Sequence, residues 1–185
     1  MCGRLNVMDD PLCEVVCEQL GMEFSTESNP DLRPTEQVAC VGWSHSQLQQ
    51  CNLAWGIKPD WAKRLIINAQ AETVAQKPTF AHAFQHHRVI VPCSGWYEWR
   101  QEGDHKVKYL FSPAEPNPLY MAAIALENNA RLVTLTTQPT EQCAPYHRRM
   151  PALIAAPDIR DWLAGSSCHA ERLLGQPYDK LLKIR

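Results

Sequence analysis

The chain has 185 residues, a formal net charge of −2 and 45% hydrophobic residues, which suits one domain over residues 2–185 that buries roughly 70% of its unfolded surface. The small net charge excludes an extended phosphate-neutralising surface, so any contact with nucleic acid has to be a local patch. The sequence has no apolar run long enough to span a membrane and does not open with a signal peptide, so we expect a soluble, cytoplasmic protein. Its eight cysteines are then expected to be thiols, and because none of them form a Cys-x-x-Cys pair we predict no metal site and no cofactor.

The first predicted elements are a short strand over residues 2–8 and a helix with both ends marked. Asp10 and Pro11 are typical of the first positions of a helix, and Gly21 is typical of the position after its last turn. Apolar residues recur at helical spacing between them, which indicates a packing helix. The polar residues 22–36, with two prolines, predict an ordered loop.

Two strands follow, Val38–Trp43 and Leu48–Ile57, joined by the polar turn Ser44–Gln47. The second strand leads into a segment that holds Trp55 and Trp61 with nearby lysine and arginine residues. Such a segment can offer aromatic faces to unpaired bases and cations to phosphates. Its rings can equally well cover an edge of the core, and the sequence alone leaves both interpretations open.

The next predicted elements are a short helix over Phe80–His87 and a long strand over Arg88–Arg100, kinked near residues 92–95. Near the end of this strand, alternation places Glu98 on the same face as Trp96. A carboxylate that is desolvated among aromatic side chains would have a raised pKa suited to general acid–base catalysis. The alternative is an edge glutamate that faces water.

The remaining sequence predicts antiparallel strands followed by two short helices. Hairpin turns are indicated at Gly103-Asp104 and Asn128-Asn129, and the two helices end near Gly165 and Gly175. There are no repeats and no internal linker. The fold class predicted is therefore α+β, a single compact domain around a mainly antiparallel, barrel-like β-sheet with short flanking helices.

The start of the chain suggests unusual chemistry, because a methionine before a residue as small as Cys2 is readily removed. The freed Cys2 would carry an α-amine with a pKa of about 7.7–8.0 beside a thiol with a pKa of about 8.5. Such an aminothiol can attack an acyl group, with the amine as base, or condense with an aldehyde to an imine that the sulfur closes into a thiazolidine. A small apolar residue that opens a strand is the alternative interpretation.

Four separated segments of the sequence are informative in combination: Met1-Cys2-Gly3-Arg4, Asn68-Ala69-Gln70-Ala71-Glu72-Thr73, Gly95-Trp96-Tyr97-Glu98-Trp99 and His147-Arg148-Arg149-Met150-Pro151. Together they resemble the SOS response-associated peptidase (SRAP) family, the abasic site processing proteins. The resemblance implies a compact barrel-like domain that binds single-stranded DNA and couples Cys2 to the ring-opened aldehyde of an abasic site as a thiazolidine. It also implies removal of Met1, viewed in this family as autoproteolysis, and abasic-site lyase activity is an expected side path.

The resemblance also implies roles for single residues. Four match catalytic positions, with Cys2 as the crosslinking nucleophile, Asn68 holding its N-terminus, Glu98 as the carboxylate and His147 as the histidine. Those that fall where the family contacts DNA or shapes the pocket are Arg4, Trp99, Thr136 and Arg149. For base stacking we expect Trp55, Trp61 or Trp99 to be used.

Two departures from the family pattern affect the expected affinity for DNA. Gln70 stands where the family usually has Arg, so one phosphate contact is expected to be lost, and the chain ends at Arg185 without the longer C-terminal segment of many members. We expect a monomer that is associated with the nucleoid when bound to DNA. The competing hypotheses are an N-terminal-nucleophile amidohydrolase acting on a small amide and a non-catalytic module that only binds single-stranded DNA.

Overall fold

The computed structural model describes residues 2–185, and the predicted removal of Met1 concerns a residue outside the described part of the chain. Within residues 2–185, twelve strands form two sheets. In chain order they are β1 (Leu5–Val7), β2 (Asn29–Leu32), β3 (Gln37–Ser44), β4 (Gln47–Trp55), β5 (Asn68–Gln70), β6 (Arg88–Cys93), β7 (Gly95–Glu102), β8 (His105–Pro113), β9 (Leu119–Leu126), β10 (Arg131–Thr137), β11 (Met150–Pro151) and β12 (Leu182–Ile184).

The smaller sheet has the strand order β12-β8-β7-β1-β2, and all its pairings are antiparallel. Its register aligns Leu5 with Trp96 and Trp96 with Phe111, three side chains that point inward and are fully buried. The rings of Trp96 and Phe111 stack with centroids 4.9 Å apart. The inward face of β1, β7 and β8 therefore forms one side of the core. Glu98 lies on the same face of β7, two residues after Trp96, and belongs to the candidate site.

The larger sheet has seven strands along the path β11-β10-β4-β3-β6-β9, with β5 paired to β10. Strand β10 pairs antiparallel with β9 and β11 but parallel with β4 and β5. The two sheets do not close into one barrel. Within the larger sheet, β10 pairs with β4 at one end of the series β4-β3-β6-β9 and with β9 at the other. The predicted α+β class with a mainly antiparallel, barrel-like arrangement is confirmed.

The helices are short and lie outside the sheets: α1 (Asp9–Leu20), α2 (Ala81–His86), α3 (Ile159–Ala164, preceded by the 3-10 turn Ala156–Asp158) and α4 (Ser167–Leu174). Asp10 has non-helical φ and ψ of −103° and 123°, so continuous helix starts at Pro11, close to the prediction. Gly21 ends α1 in the left-handed conformation with φ 64°, and its N–H donates to Cys17 O at 2.9 Å. Among residues 2–185, no helix combines the length and the apolar character that a membrane crossing requires.

Two predicted elements were wrong. Residues 22–36 are not only loop, because β2 lies within them and pairs with β1 through Leu32 and Leu5. The long strand predicted over Arg88–Arg100 is two strands in different sheets, β6 and β7. The chain changes sheet around Gly95, where a Cβ atom would lie 2.4 Å from Phe111 O, so only glycine lets the backbone pass so near β8.

Candidate active site

The thiol of Cys2 lies inside the molecule, with 1% of the residue exposed. Burial raises the pKa of this thiol well above its ordinary value, and the negative charges of the nearby Glu98 and Cys93 side chains act in the same direction. The sequence alone predicts that thiol and amine are both partly available near neutral pH. In the folded chain the sulfur is held as a neutral thiol, so it needs a neighbouring base before it can react.

Asn68 holds the backbone of Cys2. Its Nδ2 donates to Cys2 O at 2.8 Å, and its Oδ1 accepts from the hydroxyl of Thr134 at 2.6 Å. The carbonyl oxygen of Cys2 can only accept, so the amide must face it with Nδ2, which leaves Oδ1 toward the Thr134 hydroxyl. The parallel register of β5 with β10 aligns Asn68 with Thr134, which explains why two residues 66 positions apart in the chain meet here.

Glu98 points into the molecule from β7, on the same face as Trp96 as strand alternation predicts, and is 2% exposed. Burial raises the pKa of Glu98 to about 7. A carboxyl group with this pKa exists as acid and as carboxylate in similar amounts near neutral pH, so it can both give and take a proton. The predicted buried position of Glu98 is confirmed, and the water-facing alternative is excluded.

His147 lies in the segment between β10 and β11, and burial lowers the pKa of its imidazole. Its Nδ1 is 3.0 Å from the backbone nitrogen and 3.1 Å from the backbone oxygen of Arg149. In the neutral ring Nδ1 accepts from the Arg149 N–H, which leaves the proton on Nε2; in the imidazolium, Nδ1–H donates to the Arg149 carbonyl. The ring can therefore gain or lose a proton while Nδ1 keeps a partner.

Arg149 connects this segment to β10 and to β5. Its guanidinium donates to Thr136 O at 2.6 Å and pairs with both carboxylate oxygens of Glu72 at 2.9 and 2.7 Å. The hydrogen bond from Arg149 lowers the pKa of Glu72. These contacts hold the His147 segment against Thr136 of β10, two residues after Thr134, the residue that hydrogen-bonds to Asn68.

A cleft of about 810 Å³ opens beside Asn68. Trp61 and Gln70 line it together with Thr136 and Arg149, so four of the predicted DNA-contact positions share one concave surface. The side chain of Trp61 is 68% exposed at this wall. Lys77 and Arg148 add positive charge to the same cleft.

Arg4 and Trp99 lie elsewhere, on the outer face of the smaller sheet. Trp99 neighbours Glu98 on β7 and therefore points to the opposite side. Arg4 Nη1 contacts both oxygens of Asp31 at 2.9 Å, and its guanidinium carbon is 5.5 Å from the centroid of the Trp99 ring. Neither of these two residues lines the cleft beside Asn68.

One predicted contact was wrong. Trp55 is fully buried, and its indole N–H donates to Ile67 O at 3.1 Å inside the core. Its ring cannot stack on a base, because the core covers it. The pairing of β4 with β10, which aligns Trp55 with Leu132, places this side chain under the parallel strands.

Sequence reasoning missed two residues of the site. Thr134 orients Asn68, and Asp31 gathers the cations around Arg4. The sequence gives no signal for Thr134, because only the parallel pairing of β5 with β10 brings it to Asn68. It gives none for Asp31, because the polar residues 22–36 predict a loop and not the strand β2. Among residues 2–185, no group of three or more His, Cys, Asp or Glu side chains is arranged to hold a metal ion.

Cys2 thus lies where the two sheets meet, held by Asn68 of the larger sheet and close to the buried Glu98 of the smaller one. The family model for SRAP, described as SOS response associated peptidase, matches residues 1–185, and the chain belongs to this family.

Individual relatives and solved structures agree with this family. The abasic site processing protein YoqW of Bacillus subtilis (strain 168) is 29% identical over 208 aligned residues, covering 97% of this chain and 88% of that protein. The abasic site processing protein YedK of Escherichia coli (strain K12) is 27% identical, covering 88% and 79%. A crystal structure of a protein from Bordetella bronchiseptica superposes with a TM-score of 0.81 at 21% identity, covering 99% and 98%; at that identity the likeness concerns the fold.

Proposed function

We propose that this protein processes abasic sites in single-stranded DNA, by forming a thiazolidine crosslink between Cys2 and the aldehyde of the ring-opened sugar. The observation that carries the proposal is the surroundings of Cys2: its carbonyl is fixed by Asn68, and Glu98, with a pKa of about 7, lies close enough to raise the pKa of the thiol. The names of relatives such as YoqW and YedK support the same reaction class.

The first step uses the α-amine that loss of Met1 would free on Cys2. The neutral amine attacks the C1′ aldehyde carbon, and the proton lost from nitrogen ends on the former carbonyl oxygen, giving a carbinolamine. Glu98 in its acid form then protonates this hydroxyl, which leaves as water while the nitrogen lone pair forms the C=N bond of a protonated imine (an iminium ion). A carboxyl with a pKa near 7 suits this step, because about half of it is in the acid form at neutral pH.

The second step closes the ring. The carboxylate left on Glu98 takes the proton of the Cys2 thiol and sulfur bonds to the iminium carbon, while the π electrons of the C=N bond return to nitrogen and leave it a secondary amine. Aldehyde and aminothiol thus give thiazolidine and one water. The buried thiol stays protonated until the imine carbon stands beside it, because burial and the neighbouring negative charges raise its pKa.

Two further activities belong to the proposal. If the imine persists, the carbon next to it loses a proton and the 3′ phosphate leaves by β-elimination, which is strand cleavage of the lyase type. The same groups would serve the hydrolysis that releases Met1, since Cys2, Glu98 and His147 supply a nucleophile and two proton carriers. His147, which keeps a partner at Nδ1 in either protonation state, is suited to shuttle protons in both reactions.

The cleft beside Asn68 supports a splayed single strand as the substrate. Trp61 offers an exposed ring for stacking, and Arg149 and Arg148 supply positive charge for phosphates. A duplex would have to unstack at the site, at a cost of about a few kcal/mol. We therefore expect single-stranded abasic DNA to react faster than duplex.

The test is a denaturing gel of the purified protein after incubation with abasic single-stranded DNA. The wild type should give an adduct that survives heating without borohydride, because an imine alone hydrolyses. Cys2→Ser should lose the stable adduct and keep only trapping by borohydride, since a hydroxyl closes to a far weaker ring. Intact mass should show that the active protein begins at Cys2.

Cys168→Ser is the matched control, because Cys168 is the exposed cysteine on α4 and should crosslink as the wild type does. An equally stable adduct from Cys2→Ser, or activity in protein that retains Met1, would refute the aminothiol mechanism. Wild-type behaviour of Cys2→Ala would instead favour a module that only binds single strands.

A further inference from the structure

Three cations converge on one carboxylate on the outer face of the smaller sheet. Asp31 accepts from Arg4 at 2.9 Å on each oxygen, from Arg33 at 2.9 and 3.2 Å, and from Lys108 at 2.8 Å. The hydrogen bonds from Lys108, Arg33 and Arg4 hold the pKa of Asp31 well below its usual range, so the carboxylate stays ionised. Three positive charges against one negative charge leave this cluster with a net charge of +2.

The cations of the cluster keep hydrogen-bond donors that Asp31 cannot use. An arginine has five N–H donors and a lysine three, whereas Arg33 gives Asp31 only Nε and Nη2 and Lys108 a single ammonium contact. Both side chains are accessible, at 63% and 38% exposure. The remaining N–H groups of these two exposed side chains make no further hydrogen bond among residues 2–185, and they would suit a second anion.

These ion pairs are partly exposed and therefore contribute little to the stability of the fold. The cluster also lies against two aromatic rings. Lys108 Nζ lies 4.0 Å from the centroid of the Tyr97 ring, and Trp99 has Arg4 at 5.5 Å and Lys108 at 5.6 Å from its centroid. Aromatic faces between cations are what single strands use for stacking and phosphate pairing.

The cluster is also close to the reacting end of the chain. Arg4 follows Cys2 by two residues, which is about 6.6 Å in extended backbone, and its carbonyl accepts from the Tyr97 N–H at 3.0 Å on the neighbouring strand. Arg4 is therefore the member of the cluster nearest to Cys2 along the chain. A DNA strand whose abasic sugar reacts at Cys2 would pass Arg4 before it reached Arg33 and Lys108.

We propose that Arg33 and Lys108, gathered by Asp31, form a phosphate-binding subsite for the part of the single strand that runs from the abasic sugar around the edge of the sheet. This inference rests on the proposed function for the position of the strand, and it extends the substrate contacts from the cleft to the opposite face of β7. The ligand is the DNA backbone, so the subsite adds affinity without reading sequence.

The experiment measures binding of single-stranded DNA that carries a tetrahydrofuran analogue, which has no aldehyde and cannot react. Fluorescence anisotropy over a range of salt concentrations gives the affinity and the slope of log K against log salt. Each lost phosphate contact should lower the slope by about 0.7, which near 0.15 M salt is an affinity loss of about fourfold. Arg33→Gln and Lys108→Gln should each show this, and the double variant should lose the product of the two factors.

Arg160→Gln on α3 is the control, since it removes an exposed positive charge far from this face and should leave the slope as in the wild type. Unchanged affinity and slope in the double variant would overturn the subsite. So would weaker binding with an unchanged slope and a lowered melting temperature, because that result means the cluster only ties β2 to the sheet. If the wild type forms no adduct with abasic DNA, the proposed chemistry fails while this binding experiment still decides the subsite.

Discussion

Glu98 shows how burial changes the chemistry of a single residue. The same glutamate on an exposed strand would be fully ionised at pH 7, whereas on the inward face of β7, at 2% exposure, its pKa is about 7. The residue can then act as acid when water leaves the carbinolamine and as base when the thiol reacts.

Glu98→Gln should slow crosslinking by about 10²-fold, the usual contribution of a general acid–base group, and leave binding of the unreactive analogue unchanged. In the wild type the rate should rise as the amine loses its proton and fall as pH increases through about 7, where Glu98 loses its acid form. The variant should lack that fall, because glutamine does not titrate. Single-turnover crosslinking rates of the wild type and the variant, at saturating DNA between pH 5 and 9, measure this pH dependence. A fall in binding parallel to the rate would make Glu98 a structural residue instead.

At the scale of elements, the segment between β10 and β11 is held by aromatic contacts. The ring of Tyr146, the residue before His147, has its centroid 4.8 Å from that of Tyr109 and 5.3 Å from that of Phe111. The guanidinium carbon of Arg100 lies 4.6 Å from the same ring. These contacts join the segment to β7 and β8, the strands that carry Glu98 and its neighbours.

Tyr146→Ala should therefore slow crosslinking by about 10- to 100-fold, because a displaced His147 loses its alignment. Tyr146→Phe should restore the rate, since these contacts involve the ring and not the hydroxyl. Single-turnover rates at saturating DNA separate this effect from binding. If the alanine and phenylalanine variants both crosslink as fast as the wild type, the contacts of Arg149 are enough to hold the segment without the Tyr146 ring.

At the scale of the whole molecule, local patterns predicted the elements well. The helix up to Gly21, the Ser44–Gln47 turn and the hairpin at Asn128-Asn129 depend on neighbouring residues, and all three were confirmed. The kink predicted near residues 92–95 does not reveal that the chain changes sheet there. The close approach of Gly95 to Phe111 O, which requires the glycine, arises only after β8 is in place.

The candidate site was predictable in its residues but not in its arrangement. The sequence motifs named Cys2, Asn68 and Glu98, and the fold brings these three together. The motifs could not reveal that Thr134 donates a hydrogen bond to the Asn68 amide oxygen. The parallel pairing that brings the two residues together links distant parts of the chain. The motifs also could not separate Trp55 from Trp61, since both belong to one segment with lysine and arginine nearby and only packing buries the first.

The unequal burial of the tryptophans gives the molecule a built-in optical reporter. Trp55, Trp96 and Trp162 are fully buried, whereas Trp61 is 68% exposed at the wall of the cleft. Trp43 and Trp99 are partly exposed, so iodide should quench the red-shifted emission of Trp61 most strongly and that of these two more weakly. Unreactive abasic single-stranded DNA should protect the Trp61 component, and Trp61→Phe should lack the largest part of the quenchable emission from the start. Occupancy of the cleft can thus be followed in real time without a label on either partner.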